Sequence, residues 1–133
     1  MLQRTDITQA VEGDRTGLAR YALLGLHIFP TAEPPGAPTA TLTLDLRIPH
    51  ARSLKDRRQV VRSLKDKLRH AFNISIAEMD EAVVYNRATL GVAAISHSTE
   101  YLVGLLEEVE RAATRIGVGL GAEILDASVE VLD

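Results

Sequence analysis

A row of basic side chains is the part of this sequence with the clearest capacity for chemistry. Arg58, Arg62, Lys65 and Arg69 follow one another at intervals of 4, 3 and 4 residues, which places them on one side of an α-helix. We call these four residues the basic stripe. It has two interpretations: a solvated helix face whose long stems cover apolar surface, or a surface that binds anions, above all nucleic-acid phosphates.

Two more basic residues belong to the same region. Lys55 lies at the edge of the basic stripe. Arg57 falls within the apolar face of the same helix, one turn from its start, so we expect its side chain to reach past the sheet edge to water or to an anion. The candidate nucleic-acid-binding residues are therefore Lys55, Arg57, Arg58, Arg62, Lys65 and Arg69.

The basic region stands out because the whole protein is acidic. The net charge is −3, yet residues 47–69 contain nine of the fifteen Lys and Arg against only Asp56 and Asp66. Any binding of nucleic acid must therefore depend on local charge asymmetry. Aromatic residues make up 4% of the chain, which argues against the base-stacking platforms of single-strand binders.

Other kinds of site have weaker support. The chain has no Cys, which excludes disulfides and thiolate metal sites. Its four histidines lie in separate segments without metal-ligand spacing. Glu78, Asp80 and Glu81 could converge on a cation, or could be the charged residues that protect an edge strand. We expect no metal and no cofactor.

An enzymatic site is also not expected. The glycine-rich stretch 117–121 follows a helix instead of opening one, so it is typical of a helix stop and not of a phosphate loop. Acylphosphatases use an Arg and an Asn around a backbone anion cradle. Arg52 and Asn73 could play those parts, but the loop 49–51 lacks the glycines of such a cradle. We expect neither catalysis nor a small-molecule substrate.

The basic stripe lies on the most clearly amphipathic segment, residues 52–72. Ser53 is a suitable N-cap residue, and Asp56 completes a box-like start three residues later. The apolar positions recur at helical spacing. They are Leu54, Val61, Leu64, Leu68 and Phe72.

The surrounding segments predict a small sheet and a second helix. Apolar and polar residues alternate in 41–48, and further strands are predicted at 74–79, 87–95 and 124–131. A helix capped by Ser98 precedes the last strand and is ended by the glycines at 117–121. The side of the last strand predicted to be apolar carries Leu125, Ala127, Val129 and Val131.

This order of elements predicts the fold class. It is α+β, a ferredoxin-like βαββαβ sandwich with a four-stranded antiparallel sheet and both helices on one face. A basic helix and an acidic helix should then lie side by side. The other sheet face should be open, or should form a partner surface.

The chain is expected to have three parts. Residues 1–29 form an N-terminal extension, partly disordered or with a short helix, or arise from a misplaced start codon. Residues 30–38 form a Pro-rich linker, and residues 39–133 form the domain. The apolar run 21–29 is too short to span a bilayer, which takes about 20 residues, and a secretory signal is not expected. We expect a cytoplasmic protein without membrane contact.

Several sequence blocks in the same order resemble the bacterial YlxP-like family. They are residues 53–58, 60–66, 72–78 and 87–93. The resemblance covers roughly residues 40–131. It implies a small ferredoxin-like domain of uncharacterised function, whose genes often lie beside those for translation initiation and ribosome maturation.

The resemblance therefore implies a non-enzymatic ribosome- or RNA-associated factor, with ribosomal RNA or the 30S subunit as partner. A second hypothesis is a protein-interaction or homo-oligomeric module, such as a homodimer, that uses the open sheet face or the edge strand near Ile76. A small anion-binding enzyme is a distant third.

Overall fold

The computed structural model describes residues 37–132, in which four strands and two helices alternate in the order βαββαβ. The predicted extension at 1–29 and most of the predicted linker at 30–38 lie outside the described residues. The elements are β1 (Thr39–Arg47), α1 (Leu54–Ala71), β2 (Ser75–Glu78), β3 (Arg87–Ile95), α2 (Thr99–Leu120) and β4 (Glu123–Leu132).

The strands form one antiparallel sheet in the order β2-β3-β1-β4. The core lies on the sheet face that carries Leu42, Leu44 and Leu46 of β1, all fully buried. Both helices contribute to the same core cluster. Burial of each such leucine stabilises the fold by about 1.5–3 kcal/mol. The predicted α+β ferredoxin-like sandwich is confirmed.

The helix α1 begins as its sequence predicts. The Ser53 hydroxyl accepts a hydrogen bond of 3.1 Å from the Asp56 N–H, and Asp56 Oδ2 accepts one of 2.9 Å from the Arg52 N–H. These bonds satisfy N–H groups that have no partner inside the helix. Leu54 was expected on the core face but is 52% exposed. It lies in the first turn, at the margin of the arc that faces the sheet.

In β4, the side of the strand that faces the core differs in part from the prediction. Asp45 pairs with Asp126 but Leu46 pairs with Ile124, so Leu125 is an extra residue in a β-bulge. The bulge reverses the alternation in β4. Ile124 therefore packs against the core, whereas Leu125, which was predicted on the apolar side, is 46% exposed.

The end of α2 also differs from its prediction. The helix continues through Gly117 and Gly119 to Leu120, and only Gly121 ends it, with φ at 87°. The Ala122 N–H donates to the Gly117 carbonyl at 2.8 Å, which together with the left-handed Gly121 is the pattern of a Schellman motif. Gly117 has a packing role, because a Cβ there would lie 3.1 Å from the Ala122 carbonyl oxygen.

Two substitutions should distinguish the glycine that ends α2 from a glycine inside the helix. Gly121→Ala should lower the free energy of unfolding by about 1 kcal/mol, because a residue with a Cβ is strained in the left-handed region. Gly119→Ala is the matched control, since its Cβ would meet nothing within 4 Å. It should raise stability by about 0.5 kcal/mol through helix propensity. Urea denaturation measures both, and a stabilised Gly121→Ala variant would contradict the assignment.

Candidate nucleic-acid interface

The basic stripe lies on the flank of α1 that is turned toward β2. The Lys65 ammonium is 3.5 Å from Glu78 Oε2, and Glu78 is the last residue of that strand. Since β2 is an end strand of the sheet, the basic stripe runs along one outer edge of the domain. The residues that anchor α1 to the sheet are Val61, Leu64 and Leu68, all fully buried.

Arg57 does not reach water or an external anion, which corrects the expectation from the sequence. Its side chain is only 5% exposed. Its Nη1 donates to Glu78 Oε1 at 2.9 Å and its Nη2 donates to Asp80 Oδ2 at 3.0 Å. Its Nε donates to the Arg87 carbonyl at 2.9 Å. Three of the five guanidinium N–H donors are bound internally and the side chain is buried, so Arg57 does not belong to the interface.

The Arg57 network continues across the sheet. Asp80 Oδ2 also accepts a 3.1 Å hydrogen bond from the Thr89 N–H. The Thr89 hydroxyl donates to Asp45 Oδ1 at 3.0 Å, on the open face. We call Arg57, Glu78, Asp80 and Lys65 the ion cluster. It connects α1 to the chain that follows β2 and, through Thr89, to β3 and β1.

The sequence left open whether Glu78 and Asp80 bind a cation, and the ion cluster shows where these carboxylates lie. Both carboxylates are bound by Arg57 instead. Within residues 37–132, no group of three or more His, Cys, Asp or Glu side chains is placed to hold a metal ion. A signal for this pairing was present in the sequence. An arginine inside an apolar helix face needs a carboxylate partner, and the sequence places two of them just after the helix.

The pKa of Glu78 is lowered from its ordinary value. The main cause is the hydrogen bond from the Arg57 guanidinium; partial burial opposes it, and the positive charges of Arg57 and Lys65 lower the pKa further. Glu78 is therefore an anion at neutral pH, and it neutralises part of the charge that Lys65 brings to the basic stripe.

The remaining basic residues fall into two groups. Arg69 is 3.0 Å from Asp66 on the same helix, an exposed pair that stabilises by well under about 1 kcal/mol. Lys55, Arg58 and Arg62 are exposed and make no ion pair with any residue in 37–132. Of the six candidate residues, these three are the ones that the structure leaves available to an external anion.

The acidic residues of α2 do not neutralise the basic stripe. Glu108 is 2.7 Å from Arg111 on its own helix. Among the described residues, no ion pair joins α1 to the α2 residues Glu107, Glu108 and Glu110. The helices lie side by side, as predicted, but their charges are not paired across the contact.

The arrangement expected for an acylphosphatase-like site is not formed. Arg52 precedes α1 and Asn73 follows it. The helix between them has 18 residues, and at 1.5 Å per residue it separates the two by roughly 27 Å. They cannot act on one small anion. Asn73 instead lines a groove of about 400 Å³ together with Arg69 and the start of β2.

The fold and this charge distribution define a small ferredoxin-like α+β domain with one basic edge. The chain belongs to the family described as "protein of unknown function (DUF503)", whose model matches residues 39–128. This family description does not include the YlxP name. No curated protein matches the chain. No helix among the described residues is long and apolar enough to cross a membrane.

Several solved structures are similar to the chain at low identity. A dimeric ferredoxin-like protein of unknown function from Thermobifida fusca is 16% identical, with 73% of this chain and 91% of that chain covered and a TM-score of 0.43. The Bacillus subtilis YXEP protein, a dinuclear metal-binding peptidase of the M20 family, is also 16% identical, with a TM-score of 0.44. Coverage there is 72% of this chain and 26% of that chain.

A third similar structure is a C-terminal segment of the alpha subunit of aIF2 from Pyrococcus abyssi. It is 13% identical, with 72% of this chain and 52% of that chain covered and a TM-score of 0.42. The chain therefore spans about half or less of the length of this structure and of the peptidase.

Substitution of Arg57 should be far more costly than substitution of an exposed arginine. Arg57→Met leaves Glu78 and Asp80 partly buried without their partner, and should lower the free energy of unfolding by about 2–3 kcal/mol. Arg58→Met is the matched control and should change it by less than about 0.5 kcal/mol. Urea denaturation at pH 7 measures both. Equal stability of the two variants would show that the ion cluster does not hold the fold.

The lowered pKa of Glu78 predicts a specific dependence of stability on pH. Because the folded-state pKa lies below the ordinary value of 4.5, Glu78 contributes stability above about pH 4.5. That contribution is lost as the pH falls through the lowered pKa. The wild type should therefore lose more unfolding free energy between about pH 6 and pH 3 than Glu78→Gln. Identical losses in urea titrations would contradict the prediction.

Proposed function

We propose that this protein is a non-enzymatic RNA-associated factor of the cytoplasm, which contacts phosphates through α1. The phosphate-binding residues are Lys55, Arg58 and Arg62, with Lys65 and Arg69 at the margin. The observation that carries the proposal is that Arg58 and Arg62 are exposed and make no ion pair with any residue in 37–132. The resemblance to the YlxP-like family supports ribosomal RNA or the 30S subunit as the partner.

The dimensions of the basic stripe suit an extended polyanion. From Arg58 to Arg69 the helix rises roughly 16 Å at 1.5 Å per residue. A nucleic-acid duplex presents about one charge per 1.7 Å of its axis, so several phosphates lie within reach along this length. A small anion would meet only one or two of these side chains. The geometry therefore favours a backbone over a small ligand.

The contact should be largely independent of base sequence. The segment 55–71, which carries these residues, includes no Phe, Tyr or Trp, and stacking on aromatic residues is the usual means of holding single-stranded bases. Phosphate contacts fix position and orientation but do not read bases. Specificity for one ribosomal site would then come from RNA shape or from neighbouring proteins.

Repulsion between like charges on the basic stripe destabilises α1. Arg58 and Arg62 are four residues apart on one helix, and such a pair of like charges destabilises it by about 0.2–0.5 kcal/mol. The ion cluster and the pair of Arg69 with Asp66 compensate other cations, but not these two. A bound phosphate backbone would provide the missing counter-charge.

Charge reversal tests the proposal directly. The variant Arg58→Glu/Arg62→Glu should bind purified 30S subunits and a labelled 20-base-pair RNA duplex at least about tenfold more weakly than the wild type. The slope of log affinity against log salt should fall by about two units, because two phosphate contacts are lost. Fluorescence anisotropy between 50 and 300 mM KCl measures both quantities.

The matched control is Lys67→Glu/Arg115→Glu. It makes the same change in net charge, but Lys67 lies on the other flank of α1 and Arg115 lies on α2. We expect its affinity to stay within about threefold of the wild type. Equal losses in the two double variants would show that only net charge matters, and unchanged binding in both would discard the proposal.

A homodimer through the open sheet face is the second candidate. Ile95 on this face is 66% exposed, and Met79, which lies against Gly91 of the face, is 59% exposed. Exposed apolar side chains of this size can contribute to a contact surface between two copies. Light scattering on the purified protein tests this candidate, since a strict monomer at high concentration excludes it.

A further inference from the structure

The outer edge of β2 is free within the described residues. This strand pairs only with β3 and stands at the end of the sheet. The Met79 N–H donates to the Thr89 carbonyl at 2.8 Å, which sets the alternation of the ladder. The backbone N–H and C=O groups of Ile76 and Glu78 therefore point away from β3, and they are available to another strand.

Two grooves lie on either side of this one strand. The first has a volume of about 400 Å³ and includes Arg69 and Ile74. The second has a volume of about 310 Å³ and lies on the open sheet face, with Met79 and Gly91 in its wall. Both are lined by Ser75, Ile76 and Ala93. A strand with a groove on each side can accept the alternate side chains of an added strand.

The two grooves differ in charge. The first lies at the C-terminal end of α1, where Arg69 of the basic stripe is part of its wall. The second is lined by small and apolar groups, and none of its lining residues is charged. Side chains that alternate between acidic and small apolar types would match the two sides.

We propose that the β2 edge binds an extended peptide segment of another protein, which adds a fifth strand to the sheet. Its backbone pairs with Ile76 and Glu78. An acidic side chain opposite Ile76 lies on the helix side near Arg69, and a neutral side chain lies opposite the Glu78 carboxylate, which would repel a second acidic one. The adjacent small apolar side chains enter the groove beside Met79. This interaction does not require bound RNA, but peptide and RNA would compete for Arg69.

The β4 strand of a second copy of this chain fits the edge less well than a peptide of that pattern. On β4, the other end strand, Asp126 and Glu130 lie on the open face, whereas Val129 and Val131 lie on the helix side. If β4 of a second copy continued the sheet with its helices on the same side, its carboxylates would face away from the basic stripe. Charge complementarity therefore favours a separate partner over the β4 strand of a second copy.

The test uses the full chain and three labelled ten-residue peptides. One alternates Glu and Val, with Gln in place of the Glu that would lie opposite Glu78. One has the same composition with the Glu and Val residues in separate blocks, and one has Lys in place of each Glu. We expect the alternating Glu–Val peptide to bind at least about tenfold more tightly than either control in fluorescence anisotropy. Amide hydrogen exchange at Ile76 and Glu78 should slow at least about tenfold when that peptide is bound.

Variants of the edge separate strand addition from simple charge attraction. Ile76→Pro removes an N–H that the ladder with β3 does not use, and it should abolish peptide binding, whereas Ile76→Val should retain it. Arg69→Gln should weaken binding at least about threefold, whereas Lys67→Gln should leave it unchanged. Circular dichroism checks folding, and if Ile76→Pro is unfolded, the amide exchange of the wild type decides the question.

Several outcomes would overturn the proposal. One is equal affinity for the alternating and the block peptide, which would indicate charge attraction alone. Another is slowed exchange at β4 instead of at Ile76 and Glu78. A third is self-association of the protein that protects these two amides without any peptide, since it would show that a second copy occupies the edge.

Discussion

The buried guanidinium of Arg57 is the interaction on which the rest of the domain depends. It lies in the apolar face of α1 and binds two carboxylates and one carbonyl from the other side of the helix–sheet contact. Removal of one partner from such a cluster leaves buried charge uncompensated. The cluster therefore restricts α1 to one rotation about its axis and to one position over β2 and β3. A purely apolar contact would tolerate more sliding.

This rotation decides which cations face outward. With Arg57 turned into the sheet, Arg58 and Arg62 lie on the outer flank toward the β2 edge, and Lys65 lies close enough to Glu78 to share its charge. The six candidate residues thus fall into three groups. Arg57 is buried, Lys65 and Arg69 are partly neutralised, and the other three are exposed without an ion pair among the described residues. The chemistry of the surface is set by packing as much as by composition.

The sequence was sufficient for the features that depend on periodicity. Strict alternation in β1, the apolar spacing of α1 and the caps at Ser53 and Ser98 each follow from local rules, and the structure has all of them. The β-bulge at Leu125 was not predictable, because it depends on how β4 pairs with β1. The continuation of α2 through Gly117 and Gly119 is opposed by their low helix propensity, and for Gly117 the close approach of Ala122 is a tertiary contact that the sequence does not show.

The role of Arg57 was missed for a related reason. Its position in the apolar face was visible, but the choice between water, an external anion and an internal carboxylate depends on which strand end lies opposite. Glu78 and Asp80 follow the helix in the chain, and only the sheet order places them under Arg57. The sequence indicates that a buried Arg57 needs a carboxylate, but only the fold shows which carboxylates lie beside it.

The short length of β2 has a consequence for aggregation. A long exposed edge can template further strands and lead to fibrils, and natural proteins limit that hazard by keeping such edges brief and charged. With four residues, one of them Glu78, β2 can offer only a few backbone hydrogen bonds to a newcomer. A strand that pairs there should dissociate rapidly, so an unpaired β2 edge carries a low risk of irreversible aggregation.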